Sequence, residues 1–213
     1  MTELILIRHG ETAWNRERRM QGQTDTPLSD IGRAQAAAVG RRLRDHPFTA
    51  LYSSDLARAW DTAAAIARES GREIRREPAL RERTFGIFEG MTYDEMAQRH
   101  PDVHARFAAR DPDYAVPGGE SPRQFYERSL TCLNSIAHAH PDESVVVVTH
   151  GLVLDTLHRA ARNLSLSEKR EAPLLNASLN TFRRVSGAWV EVAWGDVAHL
   201  DKASVTRFEV QAV

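Results

Sequence analysis

The sequence contains a single cysteine, Cys132, among its 213 residues, so an intrachain disulfide bond is impossible. Cys132 falls among Leu130, Leu133 and Ile136 in a helical pattern, and we interpret it as a small core residue rather than a nucleophile. A chain without disulfide bonds is typical of a reducing compartment. We therefore expect a cytoplasmic protein.

Long apolar runs and an excess of charge of one sign are missing as well. No run approaches the roughly 18 apolar residues that a membrane span needs, and the first residues lack the pattern of a signal peptide. The formal net charge is only −1, so no basic surface for nucleic acid is expected. Glycine-rich nucleotide-binding motifs are absent too. We predict no membrane partner, no nucleic-acid partner and no cofactor.

Short apolar segments alternate with helical patterns along the chain. Residues 3–7 (ELILI) and 144–149 (SVVVVT) are typical of buried parallel strands, and residues 49–52 and 73–76 are weaker candidates. Strands that alternate with helices of this length indicate an α/β fold. We predict a three-layer sandwich in which helices flank a mostly parallel central sheet.

Several polar residues mark expected helix starts. Ser29 precedes one amphipathic helix and Ser53–Asp55 precede another, while Thr92 and Ser121 each begin a capping-box pattern. The segment 151–164, after the second strong strand, reads as one more helix.

A β-hairpin is predicted near the C-terminus. Residues 178–185 and 188–194 flank the turn pair Ser186–Gly187. The apolar alternation in these two strands runs through Leu179, Thr181, Val190 and Val192.

The stretch from about 85 to 120 differs from the rest of the chain. It is polar, rich in arginine, aspartate and proline, and ends in VPGGES. We interpret it as a small cap inserted over the sheet. The whole chain, residues 1–213, is then expected to form one domain.

Charged residues and histidines follow the predicted strands. Arg8 and His9 come directly after residues 3–7, and His150 comes after residues 144–149. Open α/β sheets bind ligands beyond the carboxyl ends of their strands. Arg58 lies in the first turn of a helix, where free backbone N–H groups suit an anion, and Glu82 follows the fourth strand candidate. We predict that these five side chains share one solvated crevice.

Two alternatives remain open at this point. A single histidine at a strand end is more often structural than catalytic, and two histidines with a carboxylate are also a metal-binding set. Arg8 and Arg58 count against a metal, because two fixed positive charges repel a divalent cation. The same guanidinium groups suit a phosphate, which arginine binds through two parallel hydrogen bonds.

One set of motifs resembles a known family. The segment LIRHGETAWN is similar to the signature of the histidine phosphatase (phosphoglycerate mutase-like) superfamily. The resemblance continues in the family's order over nearly the whole chain, through QGQTDTPLSDIGRAQA, LYSSDLARAWDTA, LRERTFGIFEG, PGGES, VVTHG and GDVAHLD.

The resemblance implies a role for each of the five residues. His9 matches the histidine that accepts the phosphoryl group, and Arg8 and Arg58 match the arginines that clamp its oxygens. His150 matches the second histidine of that pocket, and Glu82 matches the proton donor. A nucleophilic histidine must be neutral, with its other nitrogen hydrogen-bonded, for example to a nearby backbone carbonyl. A proton-donating carboxyl needs a raised pKa.

Five further residues are expected around the phosphate by the same resemblance. Asn15 matches a pocket amide, and Gln21 and Gly22 match a loop that approaches the substrate phosphate. Arg83, next to the proton donor, and Gly151, next to the second histidine, complete the expected binding set.

The resemblance covers both phosphatases and mutases. Mutases of this family carry a long basic insertion, whereas residues 105–121 are short here and end in PGGES, which is similar to the phosphatase branch. The last 40 residues contain only Lys202 and so lack a lysine-rich end. We favour a phosphatase acting on a small phosphorylated metabolite over a phosphoglycerate mutase or an inactive phosphate-binding regulatory module. The natural substrate is open, and so is the oligomeric state, although the resemblance implies that a homodimer is common.

Overall fold

A computed structural model of the chain describes residues 1–205 and 207–208. The predicted domain also contains residues 206 and 209–213, which lie outside the described residues. No helix within the described part is both long and apolar enough to cross a membrane.

The core of the fold is a sheet of six strands in the order β3-β2-β4-β1-β6-β7. The first four of these strands are mutually parallel, and β6 and β7 extend the sheet in antiparallel fashion. A separate two-stranded sheet joins β5 and β8. The strands are β1 (Thr2–Arg8), β2 (Ala50–Ser53), β3 (Ile74–Arg76), β4 (Ser144–Thr149), β5 (Leu174–Leu175), β6 (Leu179–Val185), β7 (Ala188–Asp196) and β8 (Arg207–Phe208).

Helices connect and cover these strands. The α-helices are α1 (Ala13–Arg16), α2 (Asp30–Leu43), α3 (Ala57–Ser70), α4 (Tyr93–Arg99), α5 (Pro101–Ala108), α6 (Pro122–Ala139) and α7 (Gly151–Arg162). Short 3₁₀ turns lie at Pro78–Leu80, Gly86–Phe88 and Lys202–Ser204.

Strand β1 shows why the fold has three layers. Its side chains alternate between the two faces of the sheet. Leu4 and Leu6 pack in the cluster that includes apolar residues of α6 and α7, whereas Ile5 and Ile7 pack in the cluster that includes those of α2 and α3. A strand that is apolar on both faces therefore requires helices on both sides. The predicted three-layer α/β sandwich is confirmed.

Three of the four predicted helix starts are confirmed. The Ser29 hydroxyl accepts from the Gly32 N–H, and Thr92 and Ser121 both form capping boxes. The fourth prediction is wrong, because α3 begins at Ala57 and Leu56 occupies its N-cap without a side-chain hydrogen bond. The Ser53 hydroxyl donates to the Ser54 carbonyl, the Ser54 hydroxyl contacts His150 and the Asp55 carboxylate pairs with Arg81, so these side chains have partners other than the N-terminus of the helix.

The predicted hairpin is present, but its inward face differs from the predicted alternation. The turn residues Ser186 and Gly187 both have positive φ, at 50° and 87°, as the tight turn of a hairpin requires. Phe182 and Trp189 face the core, whereas Val190 and Val192 are exposed. Trp189 pairs with Arg184, and Val190 pairs with Arg183. Because neighbouring residues of a strand point to opposite faces of the sheet, this register buries the indole of Trp189 and exposes Val190.

The segment from about 85 to 120 contains α4 and α5 and has its own apolar cluster. Its main members are Met20, Phe85, Phe88, Met96, Phe107 and Val116. Met20 comes from the loop after α1 and exchanges backbone hydrogen bonds with this segment, accepting from the Gly90 N–H and donating to the Met91 carbonyl. This packing ties the segment to the loop that follows the first strand.

Candidate active site

The carboxyl ends of β1 and β4 open into a cavity with about 460 Å³ of empty volume, termed here the phosphate pocket. Eight residues that the sequence singles out line it: Arg8, His9, Asn15, Gln21, Gly22, Arg58, Glu82 and Gly151. Apolar walls come from Met20, Phe85, Leu152 and Leu174. Two predicted site residues, His150 and Arg83, are not among the lining residues.

His9 is held in one orientation at the end of β1. Its Nδ1 lies 2.7 Å from the carbonyl oxygen of Gly10, and because that oxygen can only accept, Nδ1 carries the hydrogen. Burial and the charges of Arg58 and Arg8 hold the pKa of His9 well below its ordinary value. The imidazole is therefore neutral, with its lone pair on Nε2. The predicted carbonyl partner is present, but the side chain is only 3% exposed rather than in a solvated crevice.

His150 lies behind His9, with the two ring centroids 5.2 Å apart. Its Nε2 is 2.8 Å from Oγ of Ser54, while its buried Nδ1 has no hydrogen-bond partner in the described part of the chain. The Ser54 hydroxyl oxygen also accepts a long hydrogen bond from the Leu56 N–H, at 3.4 Å. A hydroxyl has one hydrogen and two lone pairs, so Ser54 can donate to Nε2 or accept from it; when it donates, the hydrogen of His150 lies on Nδ1. Burial, followed by the charge of Arg58, holds the pKa of His150 well below its ordinary value.

Arg8 and Arg58 bring two buried guanidinium groups to the pocket. Arg8 Nη1 donates to the carbonyl of Leu174 at 2.7 Å, and Arg58 donates to the carbonyls of Thr24 and Gly22. Burial lowers the pKa of Arg8 to about 9 and that of Arg58 to about 10. Both remain positive at neutral pH, so the pocket carries the positive charge that an anion requires.

Glu82 forms the opposite wall of the pocket. Its Oε1 accepts from the Arg83 N–H at 2.9 Å, and its Oε2 accepts from the Leu152 N–H at 3.2 Å. These hydrogen bonds and the nearby arginines favour the carboxylate, but burial outweighs them and raises the pKa of Glu82. A carboxyl group with a raised pKa can hold and release a proton closer to neutrality.

Asn15 presents an amide to the pocket. Its Oδ1 accepts from the Thr12 N–H and from Nδ2 of Asn176, whereas its buried Nδ2 has no partner among residues 1–205 and 207–208. The orientation fixed through Oδ1 leaves two amide hydrogens available to a ligand. Gln21 is also fixed through its carbonyl oxygen, which accepts from the Thr26 hydroxyl at 2.7 Å.

Gly22 lies where a side chain would not fit. Its φ is +55°, and a Cβ atom there would lie 2.1 Å from Oε1 of Glu89. Glu89 accepts hydrogen bonds from the N–H groups of Gln23 and Thr24 and also contacts Thr84. Hydrogen bonds of this kind lower the pKa of Glu89 although burial opposes them. The Glu89 carboxylate thus holds the loop whose carbonyls orient Arg58.

Arg83 points away from the phosphate pocket. Its Nε donates to the carbonyl of Glu120 at 2.9 Å, and its guanidinium lies over the ring of Phe85, 5.1 Å from the centroid. Burial lowers its pKa to about 10. Arg83 lines a second cavity next to the phosphate pocket.

Three positioning residues escaped the sequence reasoning. The sequence pattern predicts a helix cap at Ser54 and gives no role to Glu89, although Glu89 belongs to one of the family-like motifs. Asn176 lies in a loop far along the chain and matches no motif. Asn176 donates to the His9 carbonyl at 3.0 Å. One signal in the sequence points to Ser54: Ser53 and Ser54 directly follow the predicted strand 49–52, and the carboxyl ends of such strands face the ligand site.

Two cations lie close to the two histidines. Arg58 and Arg8 both lower the pKa values of His9 and His150. Among the described residues, no group of three or more histidine, cysteine, aspartate or glutamate side chains has a metal-binding arrangement.

The family model for the histidine phosphatase superfamily (branch 1) matches residues 4–197. This match spans nearly the whole chain, and the protein is an enzyme of the histidine phosphatase superfamily.

Similar proteins carry both phosphatase and mutase names. "Phosphoglycerate mutase-like protein 4" of Arabidopsis thaliana is 41% identical over 94% of this chain and 87% of its own length. "Metal-independent phosphoserine phosphatase" of the same plant is 40% identical over 94% of this chain and 84% of its own length. Among solved structures, Bacillus stearothermophilus YhfR superposes with a TM-score of 0.87 at 36% identity, covering 94% of this chain and 100% of that one.

Proposed function

We propose that the protein hydrolyses small-molecule phosphomonoesters through a phosphohistidine at His9. The observation that carries this proposal is the hydrogen bond from His9 Nδ1 to the Gly10 carbonyl. It fixes the tautomer in which Nε2 is a nucleophile, and that nitrogen belongs to a pocket with two buried arginines.

The first step forms a bond between Nε2 of His9 and phosphorus. The ester P–O bond breaks, and the leaving oxygen takes the proton of the Glu82 carboxyl group. Arg8 and Arg58 offset the charge that spreads over the three remaining phosphoryl oxygens. Their fixed hydrogen bonds to backbone carbonyls mean that little reorganisation is needed when that charge develops.

The second step is hydrolysis of the phosphohistidine. Glu82, now a carboxylate, accepts a proton from water as the water oxygen bonds to phosphorus. The N–P bond breaks, inorganic phosphate leaves, and His9 regains its lone pair while Glu82 is protonated again. One carboxyl group serves both steps because its pKa is raised by burial.

Two neutral donors complete the proposed phosphoryl site. Nδ1 of His150 and Nδ2 of Asn15 have no hydrogen-bond partner within the described residues. Hydrogen bonds to an anion would satisfy these buried groups. In this role His150 acts as a donor rather than as a second nucleophile.

The names of relatives support a metal-independent phosphatase and leave a mutase as the second candidate. The phosphatase proposal has support from the Arabidopsis relative named a metal-independent phosphoserine phosphatase. The mutase-like name of the other Arabidopsis relative supports transfer between hydroxyl groups. Incubation with 3-phosphoglycerate, followed by phosphorus NMR, separates the two: a phosphatase yields inorganic phosphate, and a mutase yields the 2-phospho isomer.

Trapping of the phosphoenzyme tests the nucleophile. We expect a radioactive phosphoester to give an acid-labile, base-stable label on the wild type and none on His9→Ala. His150→Ala is the matched control, because it removes the other histidine of the pair and leaves Nε2 of His9 in place. Label that persists in His9→Ala would contradict the proposal.

The remaining proposals concern the chain as a whole. We propose that residues 1–213 act as one domain with a cap at about 85–120, and that the protein works in the cytoplasm. The packing of the cap around Met20 supports the single domain, and the single cysteine supports the cytoplasmic location. A homodimer is a further proposal that sedimentation analysis tests. Limited proteolysis that released a stable cap fragment would contradict the single domain.

A further inference from the structure

Glu82 lies in a stretch of backbone that belongs to neither a helix nor a strand. This stretch, residues 81–84, follows the 3₁₀ turn at Pro78–Leu80. Backbone groups outside regular structure need hydrogen-bond partners from elsewhere in the fold. The position of the Glu82 carboxyl group therefore depends on the side chains that hold residues 79–84.

Arg128, in α6, supplies most of these hydrogen bonds. Its Nη1 donates to the carbonyls of Ala79 at 2.7 Å and Arg81 at 3.2 Å, and its Nη2 donates to the carbonyl of Glu82 at 3.4 Å. Nε and Nη2 each donate to the carboxylate of Glu120 at 2.8 Å. Because an arginine has five N–H donors, the whole guanidinium group is committed to this segment and to Glu120.

Glu120 holds the backbone on the other side of Glu82. Its Oε2 accepts from the Thr84 N–H at 3.1 Å, and its own N–H donates to the Thr84 carbonyl at 3.0 Å. The Glu120 carbonyl accepts from Nε of Arg83 at 2.9 Å. The backbone before and after Glu82 is thus tied to one bidentate ion pair, a geometry that fixes orientation as well as distance.

A second ion pair on α6 provides a comparison. Arg123 pairs with Asp113 through Nε and Nη2, at 2.6 and 3.1 Å, but both side chains are exposed. Exposed pairs of this kind contribute little to stability. Arg128 and Glu120 are partly buried instead, and their hydrogen bonds reach the backbone around the proton donor.

We propose that Arg128, paired with Glu120, is the positioning residue for Glu82. The pair fixes residues 79–84 so that the Glu82 carboxyl group faces the leaving oxygen of a bound ester. Neither member of the pair is among the residues that line the phosphate pocket, so the pair acts through Glu82 and not on the ligand. The proposal rests on the proposed function, because it requires Glu82 to donate a proton to the leaving oxygen.

Replacement of Arg128 by glutamine tests this role. In single-turnover phosphorylation, we expect the rate with an alkyl phosphate to fall about 10- to 100-fold, part of what general acid catalysis supplies. The rate with p-nitrophenyl phosphate should fall much less, because a phenolate leaves without a proton. The inhibition constant of inorganic phosphate should stay unchanged, since Arg8 and Arg58 remain in place. Equal losses for the two esters would overturn the proposal.

Two further variants separate position from charge. Arg128→Lys keeps the positive charge, but an ammonium group lacks the planar fork of five donors. We expect the same dependence on the leaving group as in Arg128→Gln. Full recovery in Arg128→Lys would mean that only the charge matters, which acts on the pKa of His150, and would overturn the proposal. Arg123→Gln is the matched control, and a similar dependence there would also contradict a specific role.

Glu120→Gln tests the partner and provides a second route if Arg128→Gln does not fold. We expect a smaller loss with the same dependence on the leaving group, because glutamine keeps one acceptor oxygen. The double variant should lose no more than Arg128→Gln alone, since residues that act as a unit are not additive. Additive losses would contradict a joint role.

Amide hydrogen exchange, measured by NMR, distinguishes failure of this proposal from failure of the proposed function. The N–H groups of Arg83 and Leu152 both donate to the Glu82 carboxylate, so their exchange reports its position without any turnover. We expect faster exchange at both amides in Arg128→Gln and no change in Arg123→Gln. That pattern in a protein without phosphatase activity would support the positioning role and contradict the hydrolase. Turnover through a phosphohistidine with unchanged exchange would do the reverse.

Discussion

Nε2 of His150 and Oγ of Ser54 lie 2.8 Å apart, although 96 positions separate the two residues in the chain. This hydrogen bond joins the residue after β2 to a buried histidine that stands next to His9. The partner of the histidine is a hydroxyl group rather than a carboxylate, and burial followed by the charge of Arg58 holds the pKa of the imidazole well below its ordinary value.

Removal of the Ser54 hydroxyl is expected to slow turnover. We expect the Ser54 hydroxyl to donate to Nε2 and so to keep the hydrogen of His150 on Nδ1; Ser54→Ala removes this preference. Loss of one buried hydrogen bond should lower kcat about tenfold with little change in KM. Ser53→Ala is the matched control, because the Ser53 hydroxyl donates to the Ser54 carbonyl and does not contact His150. Equal effects of the two variants on kcat would contradict a specific role of Ser54.

Replacement of Glu82 by glutamine should have an effect that depends on the leaving group. Glutamine keeps the size of the side chain but cannot donate a proton to an alkoxide. For an alkyl phosphate, the phosphorylation rate should fall by much of the roughly 10²- to 10⁴-fold that general acid catalysis supplies. For p-nitrophenyl phosphate, whose phenolate leaves readily, the fall should be much smaller. Single-turnover phosphorylation measures both rates, and equal losses would mean that Glu82 only orients the pocket.

The buried histidines should make stability depend on pH. The pKa of His9 is lowered in the folded protein, so its contribution is fully present above about pH 6.5 and is lost as the pH falls below that value. At about pH 5.5, protonation of this one histidine in the unfolded chain lowers the free energy of unfolding by roughly 1.4 kcal/mol. His9→Asn should therefore lose less stability than the wild type between pH 8 and pH 5.5, on the order of this amount. Urea unfolding at several pH values checks this, and parallel curves for the two proteins would rule it out.

Glu89 should control phosphate affinity without touching the ligand. Glu89→Gln weakens the hydrogen bonds that hold Gln23 and Thr24, and Arg58 donates to carbonyls of this same loop. We expect the inhibition constant of inorganic phosphate to rise about tenfold, as the loss of one charge-assisted hydrogen bond would produce. Glu95→Gln serves as the control, because Glu95 pairs with Arg19 and caps α4 instead. An unchanged inhibition constant in Glu89→Gln would be evidence against the positioning role.

Chelation of metal ions should leave turnover unchanged. The charge of Arg8 and Arg58 supplies the electrostatic stabilisation that a divalent cation provides in metal-dependent phosphatases. Dialysis against EDTA, followed by an assay with p-nitrophenyl phosphate, measures this directly. Activity that disappeared with EDTA and returned with zinc or manganese would favour the metal site that two histidines and a carboxylate also permit.

The strands and their ends were predictable from local pattern alone. The apolar run at Leu4–Ile7 demands burial on both faces, and the residues that follow such a strand reach the ligand edge. Arg8 and His9 could therefore be assigned to one pocket before any tertiary contact was known, whereas His150, which the same pattern assigned to that pocket, is not among its lining residues. The side of the hairpin that faces the core was not predictable, because valine and tryptophan compete for burial and the register decides between them.

Tertiary structure decided the partners of each site residue. Ser54 reaches His150, Asn176 reaches the His9 carbonyl, and Glu89 holds the loop at Gly22, all through contacts between distant parts of the chain. Arg83 lines the second cavity rather than the phosphate pocket, because its guanidinium packs on the ring of Phe85 and donates to the carbonyl of Glu120. Hydrophobic periodicity reports which face of an element is buried, but hydrogen-bond partners depend on which elements become neighbours, and only the folded arrangement determines that.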